Sequence, residues 1–201
     1  TLHDDGLYYI RATMCDIAYN MQSITTTIIV DNTAPTFTSI SPEKGLIFGY
    51  NLTLSLEISD EHMAYVEFYV SEDNNSWILV HTDNDGADGW TLDTIFEDCD
   101  WIKHGHMFMK FVAYDIAGNN NTAYWDFYAD LYPPELLFIS PINGSWVSNN
   151  ITIEYNVSDD LSGIGRIILK YVHEDLMVEI HNDTAIREIS WTTAGLEDGD
   201  Y

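Results

Sequence analysis

Cysteine is nearly absent from this chain. Cys15 and Cys99 are the only two, and they stand far apart, so no disulfide framework holds the fold together. Neither sits in a Cys/His arrangement of the kind that nucleophilic chemistry uses. Basic residues are scarce as well: seven Lys and Arg stand against 33 Asp and Glu, for a formal net charge of −26. Such a surface repels phosphate backbones, which excludes nucleic acid, and it disfavours anionic membrane faces. No signal peptide, lipidation motif or apolar run long enough to span a bilayer is visible, so direct membrane insertion is not expected. Glycine-rich phosphate loops are missing, and no window carries a convincing helical period. Among 33 acids, some carboxylate pair falls at glycosidase spacing by number alone, so that pattern carries no signal.

What is abundant is aromatic and β-branched side chains, enough to fold the chain despite its charge. The acidity itself has two readings, a surface that gathers cations or adaptation of a whole proteome to salt. Asparagine is arranged unusually. Asn-x-Ser/Thr sequons begin at Asn51, Asn74, Asn120, Asn143, Asn150, Asn156 and Asn182, half of the 14 asparagines. Sequons mark exposed positions in exported proteins, so an extracellular, glycosylated chain is expected.

The chain also repeats itself. Asp16-Ile-Ala-Tyr-Asn20 returns as Asp115-Ile-Ala-Gly-Asn119, 99 positions later (115 − 16). Asp31 and Pro35 return as Asp130 and Pro134, Ile40-Ser41-Pro42 as Ile139-Ser140-Pro141, and Gly6 as Gly105, all at the same offset. A fixed period of this size means tandem copies of one domain. The copies divide the chain into residues 1–31, the last two strands of a first unit; 32–130, a complete domain; and 131–201, a domain lacking its last two strands. Gly199 aligns with Gly6 and Gly105, so the last unit stops where its sixth strand would begin. Thr1 opens inside a repeat, so the numbering is expected to start within a longer precursor.

Period-two alternation supplies the strands. Tyr8, Ile10, Ala12 and Met14 share one face of Leu7–Cys15, and Ser23–Val30 returns. In the complete unit, Thr36–Ser41, Leu52–Ile58, Ala64–Ser71, Trp77–Thr82, Trp90–Ile95, Met107–Tyr114 and Thr122–Tyr128 read as seven short strands bounded by Gly, Asn, Asp and Pro. In the third unit, Ile151, Ile153, Tyr155 and Val157 repeat the inward face of Leu52–Ile58. Later strands there are Ile164–Val172, Met177–His181 and Arg187–Thr192. The fold class is all-β: tandem immunoglobulin-like antiparallel β-sandwiches with a period of about 99 residues.

The motifs Asp-Ile-Ala-Gly-Asn, Asp-Asn-Thr-Ala-Pro and Ile-Ser-Pro-x-x-Gly together resemble the immunoglobulin-like repeats of bacterial and archaeal cell-surface proteins, such as giant-adhesin stalks and S-layer-type modules. The resemblance covers the whole chain, with Tyr19 standing where the second copy has Gly118. It implies a non-enzymatic extracellular repeat segment that spaces, stiffens or assembles. In an immunoglobulin topology the entry linker, the loop after the second strand and the last turn meet at one pole. That gathers Asp31, Asp60, Glu61, Asp115 and Asn119 at one junction, and Asp130, Asp159 and Asp160 at the next. Oxygen donors of this kind suit Ca²⁺, and the resemblance implies calcium stiffening there. The same acids also serve as ordinary turn caps.

Residues 1–30 and the third unit have complementary defects. The first is a strand pair without a sandwich, and the second is a sandwich without that pair. Strand addition between copies would satisfy both and would bring Asp16 and Asn20 to Asp130, Asp159 and Asp160. The expected partners are copies of the chain or neighbouring repeats. The alternative function is a carbohydrate- or protein-binding module of a larger exported protein, with Trp101 and Trp146 as sugar-stacking candidates because neither has a repeat equivalent. His104-Gly105-His106 presents two imidazoles in zinc-like spacing, but the other copies do not reuse it, so it reads as a turn entering a strand.

Overall fold

The computed structural model describes residues 4–173, 176–183 and 188–194. Among them the regular structure is strand, apart from two single 3₁₀ turns at Gly86–Asp88 and Phe96–Asp98. The chain forms two compact units, Thr1–Ala129 and Asp130–Tyr201. The first holds β1 (Gly6–Cys15), β2 (Met21–Val30), β3 (Thr36–Ser41), β4 (Ile47–Phe48), β5 (Asn51–Ser59), β6 (Met63–Ser71), β7 (Ile78–Asp83), β8 (Trp90–Ile95), β9 (Gly105–Asp115) and β10 (Asn120–Ala129). The second holds β11 (Glu135–Ser140), β12 (Asn150–Ser158), β13 (Ile167–His173), β14 (Leu176–Asp183) and β15 (Glu188–Thr192).

In the first unit a three-stranded sheet, β3-β5-β8, faces a five-stranded sheet, β4-β10-β9-β6-β7. This is the antiparallel immunoglobulin-like sandwich, with one parallel contact where the two-residue β4 meets β10. That strand is too short to show any alternation, and the sequence pattern misses it. Elsewhere the alternation places the core. Leu52, Leu54 and Leu56 of β5 face Val66, Phe68 and Val70 of β6 and Met109 and Phe111 of β9, all fully buried or nearly so. Each such side chain contributes roughly 1.5–3 kcal/mol of burial. The Trp125 indole N–H closes this core against solvent by donating to the Pro42 carbonyl at 2.9 Å.

Strands β1 and β2 form a separate two-stranded sheet. Its ten pairs, Gly6↔Val30 through Cys15↔Met21, are the β9–β10 register, Gly105↔Ala129 through Tyr114↔Asn120, moved by one repeat. The expected apolar face on β1 is there, and its Ile10 and Met14 are exposed.

Among the described residues, the second unit reproduces half of the first. Sheet β11-β12-β15 matches β3-β5-β8, and β13-β14 matches β6-β7. Ile153, Tyr155, Val157, Ile167 and Leu169 make a smaller core. Where β6 pairs with both β7 and β9, β13 pairs with β14 alone among the described residues. The expected sixth-strand start at Gly199-Asp200-Tyr201 lies outside the described residues.

Candidate functional site

The turn that repeats in sequence also repeats in atomic detail. The Asn119 backbone N–H donates to Asp115 Oδ1 at 2.8 Å and its amide Nδ2 to Asp115 Oδ2 at 2.7 Å. Asn20 makes the same two bonds to Asp16, at 2.8 and 2.7 Å. In both, a left-handed residue precedes the asparagine: Gly118 at φ 93° and Tyr19 at φ 66°. The Asp–Asn pair therefore imposes the turn even where the glycine is lost.

Around the second copy the acids gather. Asp31, Asp60 and Asp115 each bring one carboxylate oxygen within 4.8 Å of the others. Asp115, the last residue of β9, is only 3% exposed. Asp31 follows β2, and its backbone carbonyl accepts from Asn119 Nδ2 at 3.1 Å. Asp60 follows β5 and caps its own loop through the His62 N–H at 2.7 Å. His62 Nδ1 lies 3.2 Å from Asp31 Oδ2 and contributes a proton when charged. Three carboxylates on three separate segments form a hard-oxygen donor set, the kind that holds Ca²⁺. Glu61 is exposed and outside this group, and Asn119 positions the acids through its amide N–H groups.

In the second unit, Asp130 and Asp160 bring oxygens within 4.8 Å of each other, and Asp130 Oδ2 accepts from the Ser162 N–H at 3.2 Å. Asp159 turns inward on its own loop. Its Oδ1 accepts from the Gly163 N–H at 2.6 Å and the Leu161 N–H at 3.1 Å, and these bonds hold its carboxyl below the usual range. Asp16 and Asn20 are bonded to one another on the exposed hairpin.

Six of the seven sequon asparagines, Asn51, Asn74, Asn120, Asn143, Asn150 and Asn156, are exposed. Asn182 lies on β14, with its side chain outside the described residues. Both cysteines are free thiols. Of the tryptophans singled out in sequence, Trp101 packs against the main core and Trp146 is 100% exposed. His106 Nε2 bonds Asp126 Oδ2 at 2.9 Å and its ring stacks on Tyr128, which gives it a place in the strand ladder.

One feature escaped the sequence reading. The outer face of the five-stranded sheet is aromatic. Tyr65 stacks on Tyr114 with centroids 4.7 Å apart, and Trp77 folds over to Tyr124 at 5.9 Å. Lys110 Nζ sits 4.2 Å from the Tyr69 ring centre and 5.2 Å from that of Trp77. Tyr69 donates to Glu67 at 2.7 Å, and this bond to an anionic neighbour, with burial, pushes the phenol up to about 12. The signal was present in the outward positions of β9 and β10: Phe108 and Lys110, Tyr124 and Asp126.

No protein-family model and no curated protein matches the chain. Among solved structures, it is similar to the fibronectin(III)-like modules of Clostridium thermocellum CbhA (TM-score 0.39, 19% identity, covering 80% of this chain and 79% of that one). It is similar also to a tetra-tandem repeat in the extending region of a large adhesion protein (0.40, 18%, covering 94% and 48%). CopC from Methylosinus trichosporium OB3b is a third (0.36, 14%, covering 49% and 96%). Likeness at this level assigns nothing, and the fold stands on the sheet topology itself.

Proposed function

We propose that the chain is a non-enzymatic, exported structural repeat segment whose sandwiches are completed by strand addition between copies and stiffened by calcium. The observation that supports this is the hairpin written twice. Strands β1 and β2 have the register and turn of β9 and β10, yet their apolar face is exposed. In the second unit, β13 keeps one pairing edge open among the described residues. An open edge is a template for another strand.

The occupant is β1–β2 of a second copy, entering as β9 enters beside β6. Asp16 and Asn20 of the donor then join Asp130 and Asp160 of the acceptor, as Asp115 joins Asp31 and Asp60 in the first unit. The contact is head-to-tail, so its product is an open filament unless it closes into a ring. At the first cluster, Asp31, Asp60 and Asp115 would hold the calcium. The ion would offset two of the three like charges and tie the ends of β2, β5 and β9 together.

Sedimentation of the 201-residue chain over a range of concentrations tests the assembly. The expected result is growth into multimers that Ile10→Asp abolishes, since a carboxylate on the buried face of the joint is strongly unfavourable. A parent chain that stays monomeric at every concentration refutes it.

A further inference from the structure

The aromatic face carries a cleft of about 420 Å³, within the ordinary range for small-ligand sites. Trp77, Phe108 and Tyr124 line it with Lys44, Asp126 and the sequon residue Asn74. We propose that this cleft seats the first sugars of a neutral glycan carried on Asn74, so that the chain binds its own carbohydrate. The inference rests on the reading of the protein as exported and glycosylated.

The turn that presents Asn74 is rigid. Asp73 Oδ1 accepts from the N–H groups of Asn75 and Ser76 at 2.9 and 2.7 Å, and its Oδ2 accepts from Ser76 Oγ at 3.0 Å. Asn74 itself sits at φ 58°, a conformation that asparagine tolerates better than most residues, and its side chain is exposed at the rim. Lys110 Nζ lies 5.2 Å from the Trp77 ring centre, and Tyr124 meets the indole at an interplanar angle of 54°. Tyr124 is 62% exposed.

A pyranose ring has an apolar C–H face and a rim of hydroxyls. Rings such as Trp77 and Tyr124 cover the first, while Lys44 donates to the second and Asp126 accepts from it. Asp126 is oriented for this by His106, which holds its Oδ2. The net charge of −26 disfavours a polyanion, so the sugar is uncharged. Because the glycan is tethered at the rim, its local concentration is high and even a weak seat is filled.

The repeat separates this site from the scaffold. Positions equivalent to Tyr124 and Asp126 hold Thr25 and Thr27 in the first hairpin. The fold is made without these groups, so packing alone does not require them.

The test uses the full chain with Asn74 as its only remaining sequon, produced in a host that N-glycosylates secreted proteins. Mass spectrometry of the peptide bearing Asn74 establishes occupancy. The melting temperature and tryptophan emission are then compared before and after enzymatic removal of the glycan, which leaves Asp at position 74. The expected result is a loss of several degrees and a shift in emission on removal. Both should shrink to near zero in Trp77→Ala and in Tyr124→Ser, the second variant being at an exposed position that does not threaten folding. An occupied Asn74 whose glycan changes neither readout, or changes them equally in both variants, overturns the seat and leaves glycosylation standing. An Asn74 that never carries sugar overturns both.

Discussion

Strands β1–β2 and β9–β10 share register, turn and side-chain alternation, yet one pair is exposed and the other lies in the core of the first unit. Met109 is fully buried, and its equivalent Ile10 is 52% exposed. Trp125 and Phe127 seal the sandwich, while Thr26 and Ile28 occupy the same places in the first copy. The comparison separates what a hairpin supplies by itself from what its surroundings supply. Backbone pairing and the Asp–Asn turn are local and form in both. Burial is collective and appears only where a second sheet stands opposite, and an isolated two-stranded hairpin is marginal in water for that reason.

Large-to-small changes should read that difference most strongly. Met109→Ala is expected to cost about 2–5 kcal/mol in chemical denaturation. Ile10→Ala should leave the monomer within about 0.5 kcal/mol, because it removes no core contact. Equal costs at the two positions would break the comparison. Next in size is calcium. Millimolar Ca²⁺ should stabilise the first unit by roughly 1–2 kcal/mol, and Asp60→Asn should abolish the effect. Equal melting curves with calcium and with chelator at matched ionic strength would remove the ion from the account. The turns should differ by less: Gly118→Tyr is expected to cost about 1 kcal/mol, the usual price of a left-handed non-glycine residue.

The smallest effect is electrostatic. Asp16 is held below its usual 3.8 by the Asn20 side chain and then the Asn20 backbone N–H. A depressed carboxyl contributes stability that is present above its unfolded value and lost as pH falls through the folded one. The Asp16 carboxyl signal should therefore titrate below 3.8, and Asn20→Ala should move it back up.

Much of the fold was legible because alternation and a constant period are both explicit in a sequence. Leu52, Leu54 and Leu56 announce β5, and the 99-residue offset carries β5 onto β12. Edges blur where the period slips: the strand expected from Ile164 begins at Ile167. The acidic cluster was legible in Asp31, Asp60 and Asp115, since topology alone brings those ends together. Asp159 and Glu61 stand outside the acid clusters: Asp159 accepts from the Gly163 and Leu161 N–H groups of its own loop, and Glu61 is exposed, placements that adjacent acids in a sequence do not reveal. Trp77 leaves no periodic mark: it precedes edge strand β7 and meets Tyr124 of β10 across β6 and β9, a long-range contact.

Hydrogen exchange along β1 tests the central claim most directly, because β9 is paired on both sides and β1 on one. At low concentration, the alternate amides of Gly6–Cys15 that face away from β2 should exchange as fast as unpaired groups. As concentration rises, those same amides should become protected along with the free edge of β13, while the amides facing β2 change little. If the outward amides of β1 exchange at one fast rate across the whole range, the hairpin has no second sheet to enter and the account is contradicted.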